Sequence, residues 1–504
     1  MDNRKYLLLL ITFLFTFGLS AQEDFELIFP SEDPSLTYEG TYANGQRTGL
    51  WVAYSKDSLY FHRGKYIDGQ REGTWYIFLN RKEKSRLSYS QGFLAGPYIL
   101  FHDNGTVAVK TSFIDNRLNG TWESFRKDES RLEAGEFENG LKKGHWIAFH
   151  TNGKQSISSY YKNGKLEGEY IQFDEYGERM LKTNYKNGLI DGEWIKYDFD
   201  GIVPLEIGQM VKGNRDGKWE YYFMLDRPAA VEYYDNGKRI GDWIAYHVNG
   251  RKASEISYKD DKPIGTSYNY YEDGKIESIS HYRLGLVDSI YVQYHPNGAN
   301  AVKGVYNLGV KSGIWKFFHE NGMTSEFGVY QNDSKSGVWK YFDENGALIG
   351  EGEFVADQEQ GQWFYYYPNG QLESIGNYKN GQKNGLWGYF HSNGDTMKEE
   401  TWEEGKLLKI SAYTDEDGNE LNTGSLINGN GTITNYRADG SIFSQGPYKD
   451  GLPNGTWTFF DEKSRKLTSG QLIDGVKEGI WQIFTRSGRI KETELYENGE
   501  LKMD

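Results

Sequence analysis

A chain of 504 residues would ordinarily divide into about three or four globular domains, but only 37% of this one is hydrophobic, its net charge is −15 and its mean hydropathy is −0.73. Those values lean towards disorder, yet 16% of the residues are aromatic and 61 are Gly, and disordered chains are poor in rings. The acidic balance argues against nucleic acid and anionic lipid as partners, and the absence of Cys removes disulfides, thiol catalysis, Cys-ligated metal and lipidation at a cleavage site.

Taken in chain order, residues 1–21 have the pattern of a signal peptide. Arg4 and Lys5 precede the apolar run Tyr6 to Leu19, and Ser20-Ala21-Gln22 supplies a cleavage zone. The run is short for a membrane span and no second one follows, so no transmembrane segment is expected after cleavage. The protein is therefore expected to be exported, to the periplasm or the outer cell surface. Residues 22–38 form an N-terminal leader.

From residue 39 the chain is periodic. A glycine recurs as Gly49, Gly73, Gly96, Gly120, Gly144, Gly168, Gly192, Gly217, Gly241, Gly265, Gly313, Gly337, Gly361, Gly385, Gly431, Gly455 and Gly479, with Ser289 and Lys409 in register. This anchor defines nineteen units of about 24 residues, a spacing that unrelated domains do not produce. Two residues after it stands Trp in thirteen units: Trp51, Trp75, Trp122, Trp146, Trp194, Trp219, Trp243, Trp315, Trp339, Trp363, Trp387, Trp457 and Trp481. An aromatic also stands five residues after the anchor in eighteen units and seven residues before it in sixteen.

Two further positions demand turns. Four residues before the anchor Gly occurs in fourteen units, and Asn116, Asp261, Asp333 and Asp357 replace it elsewhere. Asn and Asp are the residues that best tolerate positive φ after Gly, so the exchange identifies the conformation required. Nine residues after the anchor Gly again occurs in fourteen units, often as Asn-Gly, a strong hairpin signal. Each unit is thus expected to run turn, strand, turn, strand, with a short first strand such as Ile314–Phe318 that points Trp315 and Phe317 to one face and Phe318 to the other. The turn glycines leave no room for a long helix, and no apolar stripe of helical period is visible. The predicted fold is all-β, an elongated repeat meander of antiparallel hairpins. Residues 39–408 hold the regular repeats, 409–440 irregular ones, and 441–504 C-terminal repeats with a half-repeat cap. In the units around Gly265, Ser289, Lys409 and Gly431 the Trp becomes Ser267, Tyr291, Ser411 and Ile433, which marks either joints or specialised binding segments.

Segments such as Tyr161-Lys-Asn-Gly-Lys-Leu-Glu-Gly-Glu-Tyr-Ile-Gln-Phe and Tyr378-Lys-Asn-Gly-Gln-Lys-Asn-Gly-Leu-Trp-Gly-Tyr-Phe resemble MORN repeats, and most closely the bacterial MORN-variant repeat. The resemblance runs from about Tyr42 to Glu500. It implies an elongated β-hairpin fold used for protein association. Some bacterial members carry the label of an antitoxin component.

Candidate chemistry is sparse. His102, His150, His247, His295, His319 and His391 share one repeat position with Asp174, Asp198, Asp343 and Asp461, which suggests turn chemistry, a side chain closing its own loop. Metal ligands would have to converge, and these are spread one to a unit. The carboxylates Glu72, Glu167, Asp191, Asp216 and Glu478 are repeat-equivalent, whereas a hydrolytic pair is unique. No catalytic, metal or cofactor site is therefore assigned. The sequence predicts a non-catalytic scaffold binding an unnamed protein, with a carbohydrate-binding aromatic array, or an immunity-like partner of a toxin, as the alternatives.

Overall fold

The computed structural model describes residues 26–224 and 226–502; the expected signal peptide lies outside them. The described residues are strands and turns without helix, and they fall into two units, one ending at Arg239 and the other beginning at Ile240.

In the first unit the strands from Thr37–Ala43 to Arg227–Asp235 follow one another in an open antiparallel meander. The second unit continues the pattern to Lys406–Ile410. After a two-stranded pair, Tyr413–Thr414 with Glu420–Leu421, it builds a further meander from Gly431–Tyr436 to Glu500–Lys502. The predicted all-β hairpin repeat is thus the fold observed. The sheet break falls within the stretch expected to be irregular, and it is packed: Leu407, Leu426, Ile433, Trp457, Leu472 and Trp481 form one apolar cluster.

The two kinds of turn are built differently. The turn before the anchor is a two-residue loop with both residues at positive φ, as in Asn163 (51°) and Gly164 (77°) between the paired Lys162 and Lys165. Asn116, Asp261, Asp333 and Asp357, the glycine replacements, stand at 66–68°. The later turn needs positive φ only at its Gly. In 319–323 the Gly322 amide donates to the His319 carbonyl at 2.9 Å and the His319 amide to Met323 at 2.9 Å.

The anchor itself departs from expectation. It lies inside a strand, Val310–Phe318 in the unit of Gly313, so the first strand is longer than Ile314–Phe318. The reason is a bulge. On one side Lys303 pairs with Lys316 and Val305 with Ser312, so Gly313, Ile314 and Trp315 together oppose Gly304. On the other side the same residues pair regularly with Tyr330, Val329 and Gly328. Gly313 takes φ 67°, the left-handed conformation that a bulge of this kind places on glycine.

Candidate functional site

The bulge aims each tryptophan at a glycine nine residues before the anchor. A Cβ at Gly304 would lie 2.1 Å from the Trp315 ring, and one at Gly328 2.2 Å from Trp339. Ten of the thirteen tryptophans lie on such a glycine, and these ten are 0–4% exposed. Nine of the ten indoles donate to a nearby backbone carbonyl, as Trp339 Nε1 does to Val329 at 3.2 Å. In eight of the ten a cation two residues before the anchor covers the ring: Lys335 Nζ lies 3.9 Å from the Trp339 centroid, Lys142 3.8 Å from Trp146, Arg215 4.3 Å from Trp219. The aromatic seven before the anchor then joins one tryptophan to the next. Along Tyr306, Trp315, Tyr330, Trp339, Phe354, Trp363, Tyr378 and Trp387 the centroid separations run 5.1, 5.8, 5.2, 6.3, 5.2, 5.8 and 5.1 Å, all near edge-to-face. Each such pair contributes about 0.5–1.5 kcal/mol beyond its buried area.

The three remaining tryptophans, Trp122, Trp194 and Trp243, have Thr111, Thr183 and Glu232 where the others have Gly, and they are only half-buried. Sequence reasoning placed all thirteen in one role and missed both the glycine and the cation. The signal that marks the glycine is its coincidence with Trp in ten units.

The histidines do not close their own loops, as expected; they reach forward one repeat. Nε2 of His102, His150, His247, His295, His319 and His391 donates to the carbonyl 23 residues on, at 2.9, 3.0, 2.8, 2.9, 3.0 and 2.6 Å. Tyr271, Tyr367, Arg126 and Arg437 do the same from that position. Asp174, Asp343 and Asp461 do close their own loops, each accepting two backbone amides. Asp198 carries no such pair and stands beside Asp200, whose carboxylate raises its pKa. The carboxylates before the anchor cap the next unit's turn: Glu72 accepts the Gln91 amide at 2.8 Å, Glu167 that of Asn187 at 2.7 Å, Asp191 that of Lys212 at 3.3 Å, Asp216 that of Asn236 at 3.1 Å and Glu478 that of Asn498 at 2.8 Å. Apart from Asp198, each of these side chains is bound to backbone. Among the described residues no three His, Asp or Glu converge on a metal position.

Of the six units without Trp, the four around Gly265, Ser289, Lys409 and Gly431 are filled in different ways. Ser267 is buried opposite Ser280, and Ile256 takes the place of the usual glycine, so bulk has moved across the strand pair. Tyr291 stays in the ring ladder, 5.8 Å from Tyr306 and 6.1 Å from Trp315. Ser411 accepts the Glu399 amide at 2.8 Å and donates to the Ala412 carbonyl at 2.7 Å. Ile433 is buried in the cluster with Leu407 and Trp457.

Leader residues 26–36, which form no strand, lie against the first unit. Leu27 and Ile28 pack on the cluster that includes Trp75, Ile77, Leu87, Tyr98, Leu100 and Val109, and Phe29 lies 5.8 Å from the Tyr98 ring. The Ile28 amide donates to Tyr98 Oη at 2.8 Å, and its carbonyl accepts from Tyr98 Oη at 3.1 Å and from Ser85 Oγ at 2.9 Å. Burial pushes the Tyr98 phenol up to about 12, so it keeps the proton it donates. Glu32 pairs with both Arg71 and Arg47, the latter at 3.7 Å.

This geometry defines a class: a tandem β-hairpin repeat protein whose units cohere by shared rings and by side chains bonded to the backbone of the next unit. The family model described as MORN repeat variant matches residues 263–283, 335–356 and 359–380. Repeats of this type serve association with proteins and membranes and are non-enzymatic. No curated protein matches the chain. Among solved structures it is similar to the Tc holotoxin pore of Photorhabdus luminescens, with 9% identity, 92% of this chain and 30% of that one covered, and a TM-score of 0.13. A TcdB2-TccC3 structure without its hypervariable C-terminal region gives 10% identity, 90% and 28% coverage, and a TM-score of 0.13. The chain thus spans under a third of either, and at these scores neither likeness bears on function.

Proposed function

We propose that this chain is an exported, non-catalytic scaffold that binds a protein partner at the cell envelope. The observation that carries this lies on the face opposite the tryptophans. Residues next to the buried ring, or next to the glycine opposite it, point outward, and five consecutive strands place an aliphatic there: Ile290, Val305, Ile314, Val329 and Val338, 56%, 40%, 61%, 39% and 56% exposed. Ile290 pairs with Val305 and Ile314 with Val329, whereas Val305 and Val329 face Ser312 and Ser336 on their other sides, so the aliphatics form cross-strand pairs separated by serine. On a chain this polar, exposed aliphatics repeated over five consecutive strands mark a contact surface retained against its cost in solubility. Export is supported by the sequence of residues 1–21 alone.

The carbohydrate alternative needs open ring faces, and ten tryptophans are instead buried against glycine, eight of them also under a cation. The test is affinity capture from envelope extract with the parent chain and with Ile314→Lys plus Val338→Lys. The scaffold reading expects a protein held by the parent and lost from the variant, with the ring ladder intact by circular dichroism. Capture of no protein, together with turnover of a substrate by the purified chain, overturns it.

A further inference from the structure

The leader links two repeats that have Tyr in place of Trp, those of Gly96 and Ser289. Ser85 and Tyr98 stand eleven residues before and two after the anchor Gly96, and between them they hold both the amide and the carbonyl of Ile28. Ser278 and Tyr291 stand at the same two positions about Ser289, and the combination of Ser and Tyr at these positions occurs in no other unit. The register agrees as well: Ser85 pairs with Leu100 and Ser278 with Gln293, each four residues after its anchor.

The surroundings are rich in hydrogen-bonding groups. Asn269 Nδ2 donates to Ser278 Oγ at 2.9 Å, Tyr291 Oη donates to Gln293 Oε1 at a long 3.3 Å, and Ser267 and Ser280 lie beside them. Tyr98 beneath the leader is fully buried, whereas Tyr291 retains solvent exposure. A hydroxyl pair recognises a peptide group by its donor and acceptor alone and so places no demand on the bound side chains.

We propose that Ser278 and Tyr291 form a seat for an extended polypeptide segment of a protein partner, bound through its backbone as Ile28 is bound by Ser85 and Tyr98. This deepens the scaffold reading and rests on it. A sugar could also use neutral hydroxyls and amides; the peptide is favoured because this chain already seats one on the same pair.

The test uses a fluorescent synthetic peptide of residues 26–36 added to the full chain, whose own leader occupies Ser85 and Tyr98. Saturable binding of one peptide per chain is expected. The double variant Ser278→Ala plus Tyr291→Phe, which keeps the ring in its ladder, should weaken binding about tenfold or more through the lost hydrogen bonds. Ser444→Ala, at the position equivalent to Ser278 in a unit that has Trp457 where Tyr291 stands, should leave it unchanged. No saturable binding, or binding undiminished in the double variant, overturns the seat. So does binding of a neutral oligosaccharide that the double variant abolishes while the peptide does not bind. Envelope capture separates the two levels: if the double variant retains the parent's partner, the seat falls and the scaffold stands, and if neither chain captures a protein, the scaffold falls.

Discussion

The repeats of Gly49 to Gly96 and those of Gly313 to Gly385 share one plan and finish it differently. Four residues after the anchor the first group has Ala53, Ile77 and Leu100, all buried, and Leu27 and Ile28 of the leader pack on that cluster. The second group has Phe317, Tyr341, Tyr365 and Tyr389 there, and each of the first three lies against the next tryptophan at 6.2–6.4 Å. A single-layer sheet has no second layer to cover its rings, so the cover comes either from a foreign segment or from a larger residue inside the repeat. The first solution ties the repeats to the leader. The second makes them self-sufficient.

Removing residues 26–36 should separate the two groups most sharply. Exposing the surfaces of Leu27, Ile28 and Phe29 and their partners costs about 5 kcal/mol, so amide protection should be lost between residues 51 and 113 and retained from 313 to 390. Equal loss in both would show that the leader covers nothing specific. Within the second group Gly328→Ala should cost about 3 kcal/mol, because the added Cβ meets a locked Trp339 ring. Ser159→Ala, at the equivalent position before Tyr170, should cost under about 1 kcal/mol in the same denaturant titration.

Between pH 6.5 and 5, acid should act chiefly on the first group. His62 lies in it, 3% exposed, and burial, reinforced by the charges of Arg71 and Arg47, lowers its pKa from 6.5 to about 4. The fold therefore holds His62 neutral while the unfolded chain takes up a proton below pH 6.5. Stability should fall as pH drops from 6.5 and level off below about 4, with a loss of about 2 kcal/mol at pH 5. A His62→Gln chain should show a flat profile over that range in thermal melts of the first repeats. The smallest effect belongs to His319→Ala, which removes one bond to the Phe342 carbonyl and should cost about 1 kcal/mol, read as faster exchange at the 343–347 turn.

Much of this was legible in the residues. The Trp period and the Gly-to-Asn or Asp exchange gave the strands and the first turn type, because backbone conformation at Asn116 or Asp333 is a local demand that a side chain declares. The bulge was not legible, since a positive-φ glycine looks alike in a turn and in a strand. The reach of His319 to Phe342 was hidden because it depends on the register between neighbouring hairpins. The leader was equally opaque: nothing in Leu27-Ile28-Phe29 states that Ser85 and Tyr98 will hold it. The seat at Ser278 and Tyr291 appeared in the sequence only as a broken rule.

The most direct test of nearest-neighbour cohesion through shared rings is hydrogen exchange on Trp339→Ala, followed peptide by peptide. Protection should fall in the strands from Thr324 to Tyr366 and stay at its parental level from Gln70 to Phe101. An even loss along the whole chain would contradict it.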